Sequence, residues 1–85
     1  MKLATLMSRS KPTILIVDDE PSQRELLGGF AQRHGYRVRE ASSGEEALEL
    51  IGADAPDMVL LDVRLSGISG IETLVEIRKM GVEVP

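Results

Sequence analysis

Ile14-Leu15-Ile16-Val17-Asp18-Asp19 is an uninterrupted aliphatic run that ends on two carboxylates, and Met58-Val59-Leu60-Leu61-Asp62 repeats the pattern further along the chain. Neither run alternates apolar with polar residues, which is the signature of a parallel strand buried on both faces. If the two strands are neighbours, Asp18, Asp19 and Asp62 meet at one edge of the sheet. Two carboxylates about 4 Å apart repel by ~4 kcal/mol at an effective dielectric near 20, and a third adds to this. Such a cluster calls for a cation or a retained proton. A lone aspartate after a strand is usually a turn residue or a helix cap, but Asp62 closes an otherwise apolar run, where an uncompensated charge is costly.

Working outward, a helix is predicted over Ser22–His34. Ser22 and Glu25 have the spacing of a capping box, Leu26, Leu27, Phe30 and Ala31 form an apolar stripe, and Gly35 suits a left-handed helix end. Gly28-Gly29 inside this helix costs up to ~1 kcal/mol per residue relative to alanine, for which close packing of another element is one explanation. His34 falls where the helix dipole accommodates it, and Glu20 reads as a surface charge. Tyr36 to Ala41 alternates apolar and charged residues, placing it at a sheet edge with Arg37 and Arg39 as solvated, edge-protecting charges. Ser43 and Glu46 repeat the capping-box spacing, with Ala47, Leu48, Leu50 and Ile51 as the buried side of a second helix ending at Gly52. A strand over Met58–Val63 leads into the loop Ser66-Gly67-Ile68-Ser69-Gly70, whose glycines supply flexibility rather than a phosphate fingerprint. Ser69 and Glu72 open a third helix carried by Ile71, Leu74, Val75 and Ile77 to Gly81, and Val82-Glu83-Val84-Pro85 begins a further segment.

The order strand, helix, strand, helix, strand, helix, with short connections, gives right-handed crossovers and an α/β fold: a three-layer, doubly wound parallel sheet. The two apolar strands lie side by side with the polar strand outside the first, so the spatial order is two, one, three. The chain reverses direction between strands one and three. That topological switch point is where such sheets place ligands, and the three aspartates fall on it.

The 85 residues suit one domain, burying roughly 60–65% of the surface of the unfolded chain. Fourteen acidic against ten basic residues leave a net charge of −4, which opposes direct nucleic-acid binding and anionic membrane by this segment. There is no cysteine, which removes disulfides, thiolate metal sites and thiol catalysis and fits a cytoplasmic setting. Residues 1–11 are expected to be a flexible leader, because the apolar stretch Leu3-Ala4-Thr5-Leu6-Met7 is shorter than a signal peptide or a spanning helix needs. Residues 12–85 form the domain.

Oxygen ligands without nearby histidine or cysteine favour magnesium, with manganese as the alternative. A carboxylate beside such an ion is a competent nucleophile toward phosphorus. Val17-Asp18-Asp19-Glu20-Pro21 and Leu60-Leu61-Asp62-Val63-Arg64-Leu65-Ser66-Gly67-Ile68-Ser69-Gly70, with Gly35-Tyr36 and Ser43-Gly44-Glu45-Glu46-Ala47-Leu48 between them, resemble the receiver domain of two-component response regulators. The resemblance spans Pro12 to Pro85 and implies a flavodoxin-like receiver fold. By it, Asp62 is the phosphoacceptor, Asp19 a direct magnesium ligand and Asp18 mainly a water-mediated one, with the Arg64 backbone carbonyl as a further ligand. It also implies a sensor histidine kinase as donor and an effector domain or downstream protein as recipient, with transcription regulation the commonest output. The chain is then an acceptor module and not an enzyme.

The family carries proline where Ser66 stands here, and its fourth and fifth strands, with their Ser or Thr and Lys, are missing from this chain. Lys79 lies too far along the third helix to replace that lysine. The third strand is then an exposed edge, and self-association through it is expected, as is weak phosphorylation of these residues alone. Two other readings stand beside this one. The first is a receiver-like interaction module that no longer responds to phosphate. The second is an aspartate-nucleophile phosphohydrolase, a class that wants a second aspartate where Glu20 stands.

Overall fold

The computed structural model describes residues 11–65 and 67–81. β1 (Thr13–Val17) is the central strand of a three-stranded parallel sheet, with β2 (Arg37–Ala41) on one side and β3 (Met58–Leu61) on the other. Ile14 is level with Val38 and Met58, and Val17 with Ala41 and Leu61, so β1 and β3 finish together. Three helices connect and cover the strands: α1 (Pro21–Arg33), α2 (Gly44–Ala53) and α3 (Gly70–Lys79). The order β2-β1-β3 is the one expected from the two apolar runs. Residues 1–10 of the expected leader, Ser66 and Val82 to Pro85 lie outside the described residues.

Side chains alternate across a strand, so β1 feeds two cores. Leu15 and Val17 pack with Ala41, Ala47, Ile51 and Ile77 under α2 and α3, while Ile14 and Ile16 pack with Ala31 under α1. The continuous aliphatic pattern of β1 follows directly from this, because both faces are covered. β3 conforms less fully: Leu60 is 43% exposed.

The predicted stripe on α1 is corrected by the structure. Leu26 and Phe30 are 65% and 56% exposed, and only Gly28 and Ala31 are buried, with Leu27 partly covered. At Gly28 an added Cβ would stand 3.4 Å from Val38 Cγ1, an ordinary van der Waals distance. α1 thus meets the sheet through small residues and leaves Leu26 and Phe30 on the rim. Gly29 makes no such contact.

The helix starts also differ in detail. α1 begins with Pro21, whose missing N–H costs nothing at a helix start, and its N-cap is Glu20, without a side-chain cap. The Ser22 hydroxyl donates instead to Glu20 Oε1 (3.3 Å), so the Ser22–Glu25 box does not form. At α2, Ser43 Oγ accepts the Glu46 N–H (3.1 Å), but the Glu46 carboxylate takes the Ser42 N–H (2.6 Å) and hydroxyl (3.0 Å), one residue earlier than a strict box. The α3 start is a full capping box between Ser69 and Glu72. α2 runs through Gly52 to Ala53, and β3 ends at Leu61 rather than Val63. Arg39 is not a solvated charge: its guanidinium donates to the carbonyls of Asp54 (2.7 Å) and Leu50 (3.1 Å), closing the carboxyl end of α2. His34, as expected, sits at the end of α1, its Nδ1 2.9 Å from the Phe30 carbonyl and its ring stacked on Phe30.

Candidate metal centre

The site is assembled where β1 and β3 run out. Asp18 continues the ladder beyond β1 by donating its N–H to the Ala41 carbonyl (3.1 Å), and Asp62 does the same beyond β3 by donating to the Val17 carbonyl (3.0 Å). These two bonds carry the strand register one residue past the sheet and bring the two carboxylates to its rim. Asp18 is only 6% exposed and its Oδ1 accepts the Glu20 N–H (3.0 Å), a local turn that lifts Asp19 and Glu20 out of the sheet.

Carboxylate oxygens of Asp18, Asp19 and Asp62 all lie within 4.8 Å of one another. They line an open cleft of about 440 Å³ together with Glu20, Gln23 and Arg64. Coordinated oxygens sit about 2.0–2.1 Å from magnesium, so two of them cannot be more than roughly 4.2 Å apart. A cluster of this size could hold a divalent ion. The donors are all hard oxygens, and no histidine is among them, which matches magnesium or manganese chemistry.

The loop after Asp62 is shaped by contacts that the sequence pattern did not reveal. Asp62 Oδ1 accepts the Arg64 N–H (3.0 Å), which fixes the rotation of the carboxylate. Gly70, at the first position of α3, donates its N–H to the Val63 carbonyl (3.1 Å), and a Cβ on it would overlap the Asp62 carbonyl oxygen and the Val63 Cα. Gly67 adopts φ +78°, and the Ile68 N–H reaches Glu45 Oε2 on α2 (3.3 Å). These glycines serve close approach and left-handed backbone rather than flexibility. Glu45 could have been suspected only from its place beside a helix cap, and nothing in its spacing identifies its partner.

Arg24 was likewise unmarked by any motif. From α1 its Nη1 donates to the Asp18 carbonyl (2.8 Å), while its Nε lies 3.3 Å from Glu40 Oε1 on β2. Lys79 pairs with Glu76 (3.3 Å) near the end of α3 and takes no part in the cleft.

The response regulator receiver domain model matches residues 14–85. Over 62 residues the chain is 55% identical to the positive alginate biosynthesis regulatory protein of Pseudomonas aeruginosa, covering 69% of this chain and 25% of that protein. Over 79 residues it is 39% identical to the transcriptional regulatory protein ZraR of Klebsiella oxytoca, covering 93% of this chain and 18% of the relative. The chain thus spans a quarter or less of the length of these two relatives. Among solved structures, the response regulator TrrA of Thermotoga maritima in complex with Mg2+-BeF superposes with a TM-score of 0.79 at 48% identity, covering 81% of this chain and 60% of that one. The three parallel strands in order two, one, three, the acidic rim and these similarities converge on one conclusion: the chain belongs to the response regulator receiver domain family and shares its flavodoxin-like fold.

Proposed function

We propose that the chain is a phosphoacceptor module in which Asp62 takes a phosphoryl group from the phosphohistidine of a sensor histidine kinase. The observation that carries this reading is the convergence of Asp18, Asp19 and Asp62 within 4.8 Å at the end of the sheet. A carboxylate oxygen of Asp62 attacks phosphorus, the new P–O bond forms as the P–N bond to the donor imidazole breaks, and the imidazole leaves with the electron pair and takes up a proton. Asp62 is held for this by its own turn, through the Arg64 N–H. Asp19 and Asp62 would hold the metal directly, Asp18 mainly through water, and the Arg64 backbone carbonyl would complete the protein's share. Magnesium, or manganese in its place, supplies positive charge beside the transferring oxygens when bound.

The chain accepts and passes on a signal rather than turning over a substrate. Its recipient is an effector domain or a downstream protein, and the relative named as a transcriptional regulatory protein supports a transcriptional output. A cytoplasmic location fits the absence of cysteine and of any described helix long and apolar enough to cross a membrane. Residues 12–85 act as the receiver segment, and among the described residues β3 is an edge strand, through which self-association would occur.

The TrrA structure in complex with Mg2+-BeF suggests the direct test. Fluorine NMR of the chain with beryllofluoride and magnesium should show bound fluoride resonances that vanish on chelation and in Asp62→Asn. Bound resonances that persist in Asp62→Asn would show that Asp62 is not the acceptor.

A further inference from the structure

Arg24 stands on α1 with its side chain 18% exposed and bridges two elements. Its Nη1 holds the carbonyl of Asp18, which belongs to the peptide joining Asp18 to Asp19, and its Nε faces Glu40 on β2. The same aspartate is pinned by two further bonds, its N–H to the Ala41 carbonyl and its Oδ1 to the Glu20 N–H. The Arg24 bond comes from the side chain of another element and falls on the carbonyl of the Asp18–Asp19 peptide itself. Rotation of that peptide would swing the Asp19 carboxylate relative to Asp62, so whatever fixes the carbonyl also sets the spacing of the metal ligands.

We infer that Arg24, oriented by Glu40, is a positioning residue for the Asp18–Asp19 peptide and thereby tunes the affinity of the acidic cleft for a divalent cation. The guanidinium fork suits this task because its donors diverge at fixed angles, so one arm can be anchored on a carboxylate while another holds the carbonyl. A lysine has donors enough for both acceptors but no rigid fork with which to span them. The inference rests on the proposed metal site but not on phosphoryl transfer.

Calorimetric titration of the whole chain with magnesium alone tests it, alongside the amide nitrogen shift of Asp19 recorded without metal. Partners that orient metal ligands typically change affinity by about 10–100-fold when removed. Arg24→Met should weaken magnesium by about tenfold and move the Asp19 resonance, with Arg24→Lys recovering part of both. Glu40→Gln, on a half-exposed side chain, should weaken it by roughly threefold, less than outright loss of a partner because the amide oxygen can still accept from Arg24. If Arg24→Met does not fold, Glu40→Gln and Arg24→Lys decide the matter. Wild-type affinity and an unmoved Asp19 resonance in those variants would overturn the role of Arg24 while leaving the metal site standing. A wild-type chain that takes up no magnesium would remove both.

Discussion

On the α2 and α3 face of the sheet, Leu15 and Val17 lie under Ala47, Ile51 and Ile77 with almost no accessible surface; on the α1 face, Ile14 and Ile16 meet Ala31 as the one buried helix residue of their cluster. The same strand feeds both, so the contrast comes from what covers it. Two helices, interlocked where Gly44 meets Thr73, close the first face. A single helix, with Gly28 and Ala31 as its buried residues, covers the second and leaves Leu26, Phe30 and Leu60 on its margin. A depression of about 360 Å³ runs from Asp18 and Asp62 past Leu27 and Leu60 on that thinner side. The acidic cleft thus has a firm floor on one flank and an open one on the other.

The largest effect should come from the deep face. Leu15→Ala removes a fully buried side chain and should cost about 3 kcal/mol, within the usual 2–5 kcal/mol for such truncations, whereas Leu26→Ala on the rim of α1 should change stability by less than about 0.5 kcal/mol. Urea unfolding of the two variants measures the difference, and equal losses would mean that α1 is covered as tightly as its partners.

The glycines sharpen the same contrast. Gly44→Ala would drive a methyl group into Thr73 Oγ1 and Ile68 between α2 and α3, so it should destabilise by about 1–3 kcal/mol. Gly29→Ala meets only the flexible end of Arg33 at 3.6 Å and should stabilise by about 0.5–1 kcal/mol through helix propensity. Melting temperatures that move the same way in both variants would contradict the assignment of the tight interface to α2 and α3.

The smallest effect is a pH dependence at the start of α2. The Ser42 N–H, then the Ser42 hydroxyl and more weakly the charge of Arg24, hold the Glu46 carboxyl below its ordinary value of 4.5, against a small opposing effect of burial. A carboxylate with a depressed folded pKa contributes stability above its unfolded pKa, and that contribution disappears as pH falls through the folded value. The stability gap between wild type and Glu46→Gln should therefore be present at pH 7 and shrink below about pH 4.5. A gap unchanged down to pH 3 would show that the Ser42 contacts do not favour the ionised form.

Much of the fold was legible because it depends on local pattern. The unalternating runs of β1 and β3, the charged alternation of β2 and the serine caps of α2 and α3 each express a rule that acts within a few residues. The aspartate cluster was legible for the same reason, since a carboxylate ending each buried strand has only one edge to occupy. The stripe on α1 misled because periodicity names a candidate face without saying how much of it a partner covers. Arg39 misled because a long cation on an edge strand looks solvated until a helix end comes within its reach.

Sequence alone thus determined the strand order, the edge at which Asp18, Asp19 and Asp62 meet and the family resemblance they carry, because strand burial and capping are set by near neighbours. The tertiary structure decided which apolar residues of α1 are buried, that Gly70 packs on the backbone of Asp62 and Val63, and that Arg24 joins Glu40 to the Asp18 carbonyl. Those outcomes depend on elements distant in sequence arriving within a few ångströms of one another, and no periodicity along the chain encodes such a distance.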